Sequence, residues 1–150
     1  MASFRFKLQA LLDLRLREET TCRIEFSKLM GQKSDIEQRL IAHQQTIQAG
    51  KDSMREGMVG KVDALALRLQ SHAALGLMRE AQAAAIALAG LAKRIETSRS
   101  KLDVARSRRR AVEVLRERRY EEWKLQQERR EVSDQDELAT FSAFRRDSDS

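Results

Sequence analysis

From Cys22 onward the chain repeats one kind of position at alternating steps of four and three: Cys22, Phe26, Leu29, Lys33, Ile36, Leu40, His43, Ile47, Gly50 and Met54. Most of these residues are apolar, and those between them are largely charged or polar. A 4-3 step holds one thin stripe toward a single neighbouring helix, whereas a globular core needs a wider apolar face. Upstream, Phe4, Leu8, Leu11 and Leu12 open the stripe, and Leu8, Leu12 and Arg15 fall on the extrapolated register. Ser3 is placed to cap a first long helix over 4–56. A second register runs through Leu77, Ala81, Ala84, Leu88, Leu91, Ile95, Ser98, Leu102, Ala105, Arg109 and Val112, and predicts a second long helix over 74–142. Leu115, Trp123 and Leu125 carry a looser stripe toward Leu138, and 143–150 have little to bury and are expected to fray.

The pattern breaks once, at Gly57-Met-Val-Gly60. Val62, Leu65 and Leu69 predict one short helix inside a bend over 57–73. Two long helices joined near the middle share a seam only if they run antiparallel. The predicted fold is therefore all-α: an antiparallel two-stranded coiled-coil hairpin with a short helix or irregular segment at the bend, one elongated domain over 1–150. The seam is expected from Leu8, Leu12, Phe26, Leu29, Ile36, Leu40 and Ile47 against Leu88, Leu91, Ile95, Leu102, Val112 and Trp123. With the turn centred between 57 and 72, Leu40 falls near Leu91, and Leu12 near Tyr120 or Trp123.

Composition supports this. The 150 residues include no proline, 5% aromatics and 35% charged residues, the balance of long exposed helices. The net charge of +6 makes an acidic partner plausible, but acids and bases are interleaved as on solvated helix faces. Cys22 is the single cysteine, so an intrachain disulfide is excluded and a reducing compartment is expected. The most apolar window, Ala81 to Ala92, is shorter than the roughly twenty residues that span a bilayer, so no membrane insertion is expected.

Catalytic chemistry finds little support. His43 and His72, the two histidines, fall in different segments. Cys22 occupies a seam position, and no His or Cys spacing suggests zinc. Gly57-Met-Val-Gly-Lys61 fails as a phosphate loop, which needs four residues between its glycines and a hydroxyl after the lysine. No enzyme activity, metal or cofactor is expected. The strongest charge feature is Arg106, Arg108, Arg109, Arg110, Arg116, Arg118 and Arg119. Glu113, Glu117, Glu121 and Glu122 interrupt it, unlike the acid-free basic region of a DNA-reading zipper. A solvated face or a docking surface for an acidic protein fits better than nucleic acid.

The opening Phe4-Arg-Phe-Lys-Leu-Gln, Leu11-Leu12, Arg15 and Glu18-Glu19 resemble the start of the flagellar export protein FliJ family. Lys101-Leu102, Arg108-Arg109, Glu113, Leu115 to Arg119, Glu122, Glu128-Arg129 and Asp136-Glu137 resemble its C-terminal helix. The middle, from Gly50 to Ala85, is poorly matched. The resemblance implies a non-catalytic stalk in flagellar type III protein export. It would bind and stimulate the hexameric export ATPase, contact the cytosolic domain of the membrane export gate, and interact with export chaperones. Arg15, Arg17, Arg108, Arg109, Arg110, Arg116, Arg118 and Arg119 become the ATPase-docking candidates. The expected location is cytoplasmic, peripheral to the membrane at the flagellar base, and the expected isolated state is a monomer. A virulence-secretion stalk, a generic coiled-coil spacer or homodimer, and a helical nucleic-acid binder are the rival readings.

Overall fold

The computed structural model describes residues 3–148, with two helices, α1 (Gln9–Gly57) and α2 (Ala64–Ser148), and no strand among them. The helices pack antiparallel as an all-α hairpin. Without proline, neither helix meets a residue that would remove a ladder hydrogen bond, so each runs uninterrupted.

The connection is short and specific. Met58 N–H donates to the carbonyls of Met54 (3.1 Å) and Arg55 (3.2 Å), closing α1. Gly60 adopts φ +85°, a left-handed turn that a side chain would oppose. Asp63 then caps α2, its Oδ1 accepting from Leu65 N–H at 3.0 Å and Ala66 N–H at 3.3 Å. That cap satisfies donors orphaned at a helix start. It lets α2 begin at Ala64, so the separate short helix expected in the bend is instead the first turns of α2. Val62, Leu65 and Leu69 face solvent, while Leu67, Ala74 and Leu77 are half-buried on the inner face.

The chain divides into two compact units. The bend unit runs from Thr20 to Val104. Its core is Leu29, Leu91 and Ile95, with Phe26 and Ile36 packed against them. Every residue of the first 4-3 series from Cys22 to Met54 is buried or half-buried, as are Leu77, Ala81, Ala84, Leu88, Leu91, Ile95, Ser98 and Leu102 opposite. The register differs from the expected one. Leu91 meets Leu29 and Ile36, not Leu40, because the turn closes tightly around Gly60 and pairs residues nearer the bend. His43 Nε2 lies 3.7 Å from a Glu80 carboxylate oxygen, and Gln70 Nε2 donates to Ser53 Oγ at 3.2 Å, contacts of the same register. The Arg99 guanidinium stands 5.9 Å over the Phe26 ring. One stretch of α2 is long and apolar enough, by length and composition, to cross a membrane, and 6% of it is buried. Lying between Arg68 and Lys93, it includes Arg79 and Glu80. Each charge would cost about 2.5–3.5 kcal/mol at the centre of an inserted helix, which works against insertion.

The terminal unit combines the chain up to Glu19 with the chain from Ala105. Leu12, Ala105 and Val112 are its buried apolar residues. Helix α1 starts at Gln9, five residues after the expected start, so Ser3 lies too far ahead to cap it. Residues 3–6 are non-helical, and Phe4 folds onto α2 instead. Leu8, a seam candidate, is exposed. At the other end α2 continues to Ser148, through most of the segment expected to fray; 149–150 lie outside the described residues.

Candidate docking surface

The terminal unit sorts the arginines into two kinds. Glu19 is a seam residue whose side chain is only 4% exposed, and its carboxylate meets Nε of Arg109, with Arg106 Nε at 3.8 Å. Arg109 also pairs with Glu113 at 2.6 Å, one helical turn on. The hydrogen bond from Arg109 holds the Glu113 carboxyl below its ordinary range, helped by Arg110 and opposed by partial burial. The same pairing raises Arg109 above its usual value. Arg109 therefore stabilises the hairpin and is not available as a docking cation. Its place in the second 4-3 series is the sequence signal for this, since a seam residue faces the partner helix.

Three further candidates have acidic neighbours on their own helix. Arg15 meets Glu18 at 2.8 Å, Arg110 meets Glu113 at 3.3 Å and Glu117 at 3.2 Å, and Arg119 meets Glu122 at 3.4 Å. Exposed same-helix pairs of this kind are weak, on the order of 0.3–0.5 kcal/mol, and yield readily to a stronger partner. Arg17 is exposed. Arg108, Arg116 and Arg118 are exposed with no ion pair among the described residues. Arg5 and Lys7, which the sequence pattern does not single out, are exposed cations on the segment before α1 and likewise make no ion pair among the described residues. Their significance depends on where residues 3–6 fold, which no helical periodicity encodes.

Arg5, Lys7, Arg116 and Arg119 line hollows beside an aromatic cluster. The Phe4 ring lies edge-on to Tyr120 at 5.3 Å and tilted against Trp123 at 5.9 Å, and Tyr120 and Trp123 stack at 5.9 Å. A hollow of about 440 Å³ beside it is walled by Phe4, Phe6, Leu8, Leu115 and Trp123, with Arg5, Lys7 and Arg119 at its rim. A second, of about 560 Å³, lies on the other side of Phe4 among Leu12, Leu16, Arg116 and Tyr120. Leu12 and Tyr120 line the second hollow together, whereas Trp123 meets the Phe4 ring and shares the first hollow with Leu8. These open, apolar, positively rimmed surfaces suit contact with another protein rather than chemistry on a small molecule.

Among the described residues no cluster of His, Cys, Asp or Glu could hold a metal ion. His72 is exposed, and Cys22 and His43 are half-buried in the seam.

No curated protein and no solved structure matches this chain. The family described as Flagellar FliJ protein matches residues 4–148, which include both helices, the connection and the aromatic cluster of the terminal unit. The chain belongs to the flagellar FliJ family.

Proposed function

We propose that this protein is a non-catalytic stalk of the flagellar type III export apparatus. It binds and stimulates the hexameric export ATPase through its terminal unit, and links the ATPase to the export gate and to export chaperones. The observation that carries this reading is the set of exposed, unpaired cations Arg108, Arg116 and Arg118, with Arg5 and Lys7 on the segment that carries Phe4 into the aromatic cluster. One asymmetric hairpin cannot satisfy six equivalent subunits alike. A contact that is largely electrostatic, and easily shifted from subunit to subunit, meets that mismatch. Tighter binding to the assembled ring than to free subunits favours assembly by mass action and raises ATP hydrolysis, with no catalytic group supplied by the stalk.

The bend unit supplies the gate-facing surface in this reading, within Leu40 to Met78. Met58, Val59, Val62, Leu65, Leu69 and Leu75 are exposed there, more large apolar side chains than scattered surface residues account for. The protein works in the cytoplasm, held at the flagellar base by its partners. The test is ATP hydrolysis by the purified export ATPase, measured against added chain at moderate salt. The triple variant R108E/R116E/R118E should lose the stimulation. Full stimulation by that variant would overturn the docking assignment.

A further inference from the structure

The seam face of α2 outlasts its partner helix. Residues 3–8 close over Tyr120 and Trp123, Gln127 is the last half-buried residue, and 128–145 are exposed throughout. The uncovered stretch is not polar all round. Phe141 is 74% and Phe144 79% exposed, and Leu125, Val132 and Leu138 are also exposed. A lone helix of this length is marginal in water unless something packs on it.

The residues on the seam face name a partner. Continuing at steps of three and four, they are Tyr120, Trp123, Gln127, Arg130, Asp134, Glu137, Phe141 and Phe144. This series is self-complementary about Val132. Reversed on itself, it sets Phe144 against Tyr120, Phe141 against Trp123, Glu137 against Gln127, and Asp134 against Arg130. Aromatics meet aromatics at both ends, and each central cation meets a carboxylate. The charge match lies at the centre of the segment, where the reversal brings Arg130 of each copy to Asp134 of the other. Neither Arg130 nor Asp134 has an ion-pair partner among the described residues.

We propose that residues 120–144 form a self-pairing interface, in which the same segment of a second copy lies antiparallel, centred on Val132, and takes up the seam face that α1 leaves open. Phe141 and Phe144 of each copy then reach the aromatic cluster of Phe4, Tyr120 and Trp123 in the other. Polar residues at half of the seam positions make the association weak and reversible while fixing its register, as buried polar positions do in coiled coils. The dimer covers Tyr120 and Trp123 and is a form closed to other partners at that surface. It does not depend on the ATPase reading, and its test contains no ATPase.

Sedimentation equilibrium of the full chain across low to high micromolar concentration reads the association directly. The wild type should pass reversibly from a 17.2 kDa monomer toward twice that mass. Arg130→Asp and Asp134→Arg each place like charges opposite one another at two points, and each should weaken association about tenfold or more. An equimolar mixture of the two variants, and the doubly swapped R130D/D134R chain, should recover it. Both positions are exposed, so far-ultraviolet circular dichroism should show unchanged helicity. A wild type that stays monomeric throughout overturns the proposal. So does association that both single variants leave intact, or that the mixture fails to restore.

Discussion

Glu19 and Arg109 form a buried ion pair across the seam of the terminal unit, with Arg106 as a second cation on the same carboxylate. The Glu19 side chain is withdrawn from water almost completely, while Arg109 keeps partial exposure and a second acid in Glu113. Removing the acid leaves a half-buried guanidinium with one remaining partner. Glu19→Gln should therefore destabilise the protein by about 1–3 kcal/mol. Urea unfolding followed by circular dichroism measures this, with Glu25→Gln, at an exposed position of α1, as a control expected to change little.

The two kinds of arginine predict different phenotypes. Arg109→Ala should lower the urea midpoint and leave ATPase stimulation intact at temperatures where the hairpin stays folded. The R108E/R116E/R118E variant should do the reverse: near-normal stability, lost stimulation. Comparing both variants in both assays separates a fold cation from a docking cation.

Acid should act through Glu113. Its folded-state pKa lies below its unfolded value because Arg109, and then Arg110, hydrogen-bond to the carboxylate. The stabilisation is thus complete above the unfolded glutamate range and is lost as pH falls through the lower folded value. The difference in urea midpoint between wild type and Glu113→Gln should shrink as pH is lowered from neutral into that acid range. A constant difference would remove Glu113 from the acid response.

In the bend unit, Leu91 packs with Leu29 and Ile95, and few other apolar residues there are as buried. Leu91→Ala should cost about 2–4 kcal/mol, since a narrow seam has no second layer to collapse into the space. Leu65→Ala, on the exposed side of α2, should cost less than about 0.5 kcal/mol. Thermal unfolding of the two variants side by side tests the contrast.

Asp63 sets where α2 begins. Asp63→Ala removes the acceptor for the Leu65 and Ala66 N–H groups and should cost about 0.5–2 kcal/mol. Hydrogen exchange should localise the effect, with amides of Leu65 to Leu67 exchanging faster and those near Leu91 changing only with global stability.

Spacing along the chain was enough to say which residues of the two 4-3 series face the seam. Every member of the 4-3 series from Cys22 to Met54, and from Leu77 to Val112, lies buried or half-buried, because a helix presents a face at fixed spacing whatever it packs against. Absence of proline and the lone glycine break were enough for two long helices, but not for a bend without a separate short helix. What spacing cannot carry is the relation between one helix and the other. That relation depended on the Gly60 turn and the Asp63 cap, which moved Leu91 from Leu40 to Leu29 and Ile36. Burial of Phe4 against Tyr120 and Trp123 outweighed continuation of α1 toward the N-terminus, an outcome that rests on residues more than a hundred positions apart. Arg109 was legible both as a seam position and as one more arginine in a basic run. Only the tertiary structure, by setting Glu19 opposite it, decided that it holds the hairpin together while Arg108, Arg116 and Arg118 face outward.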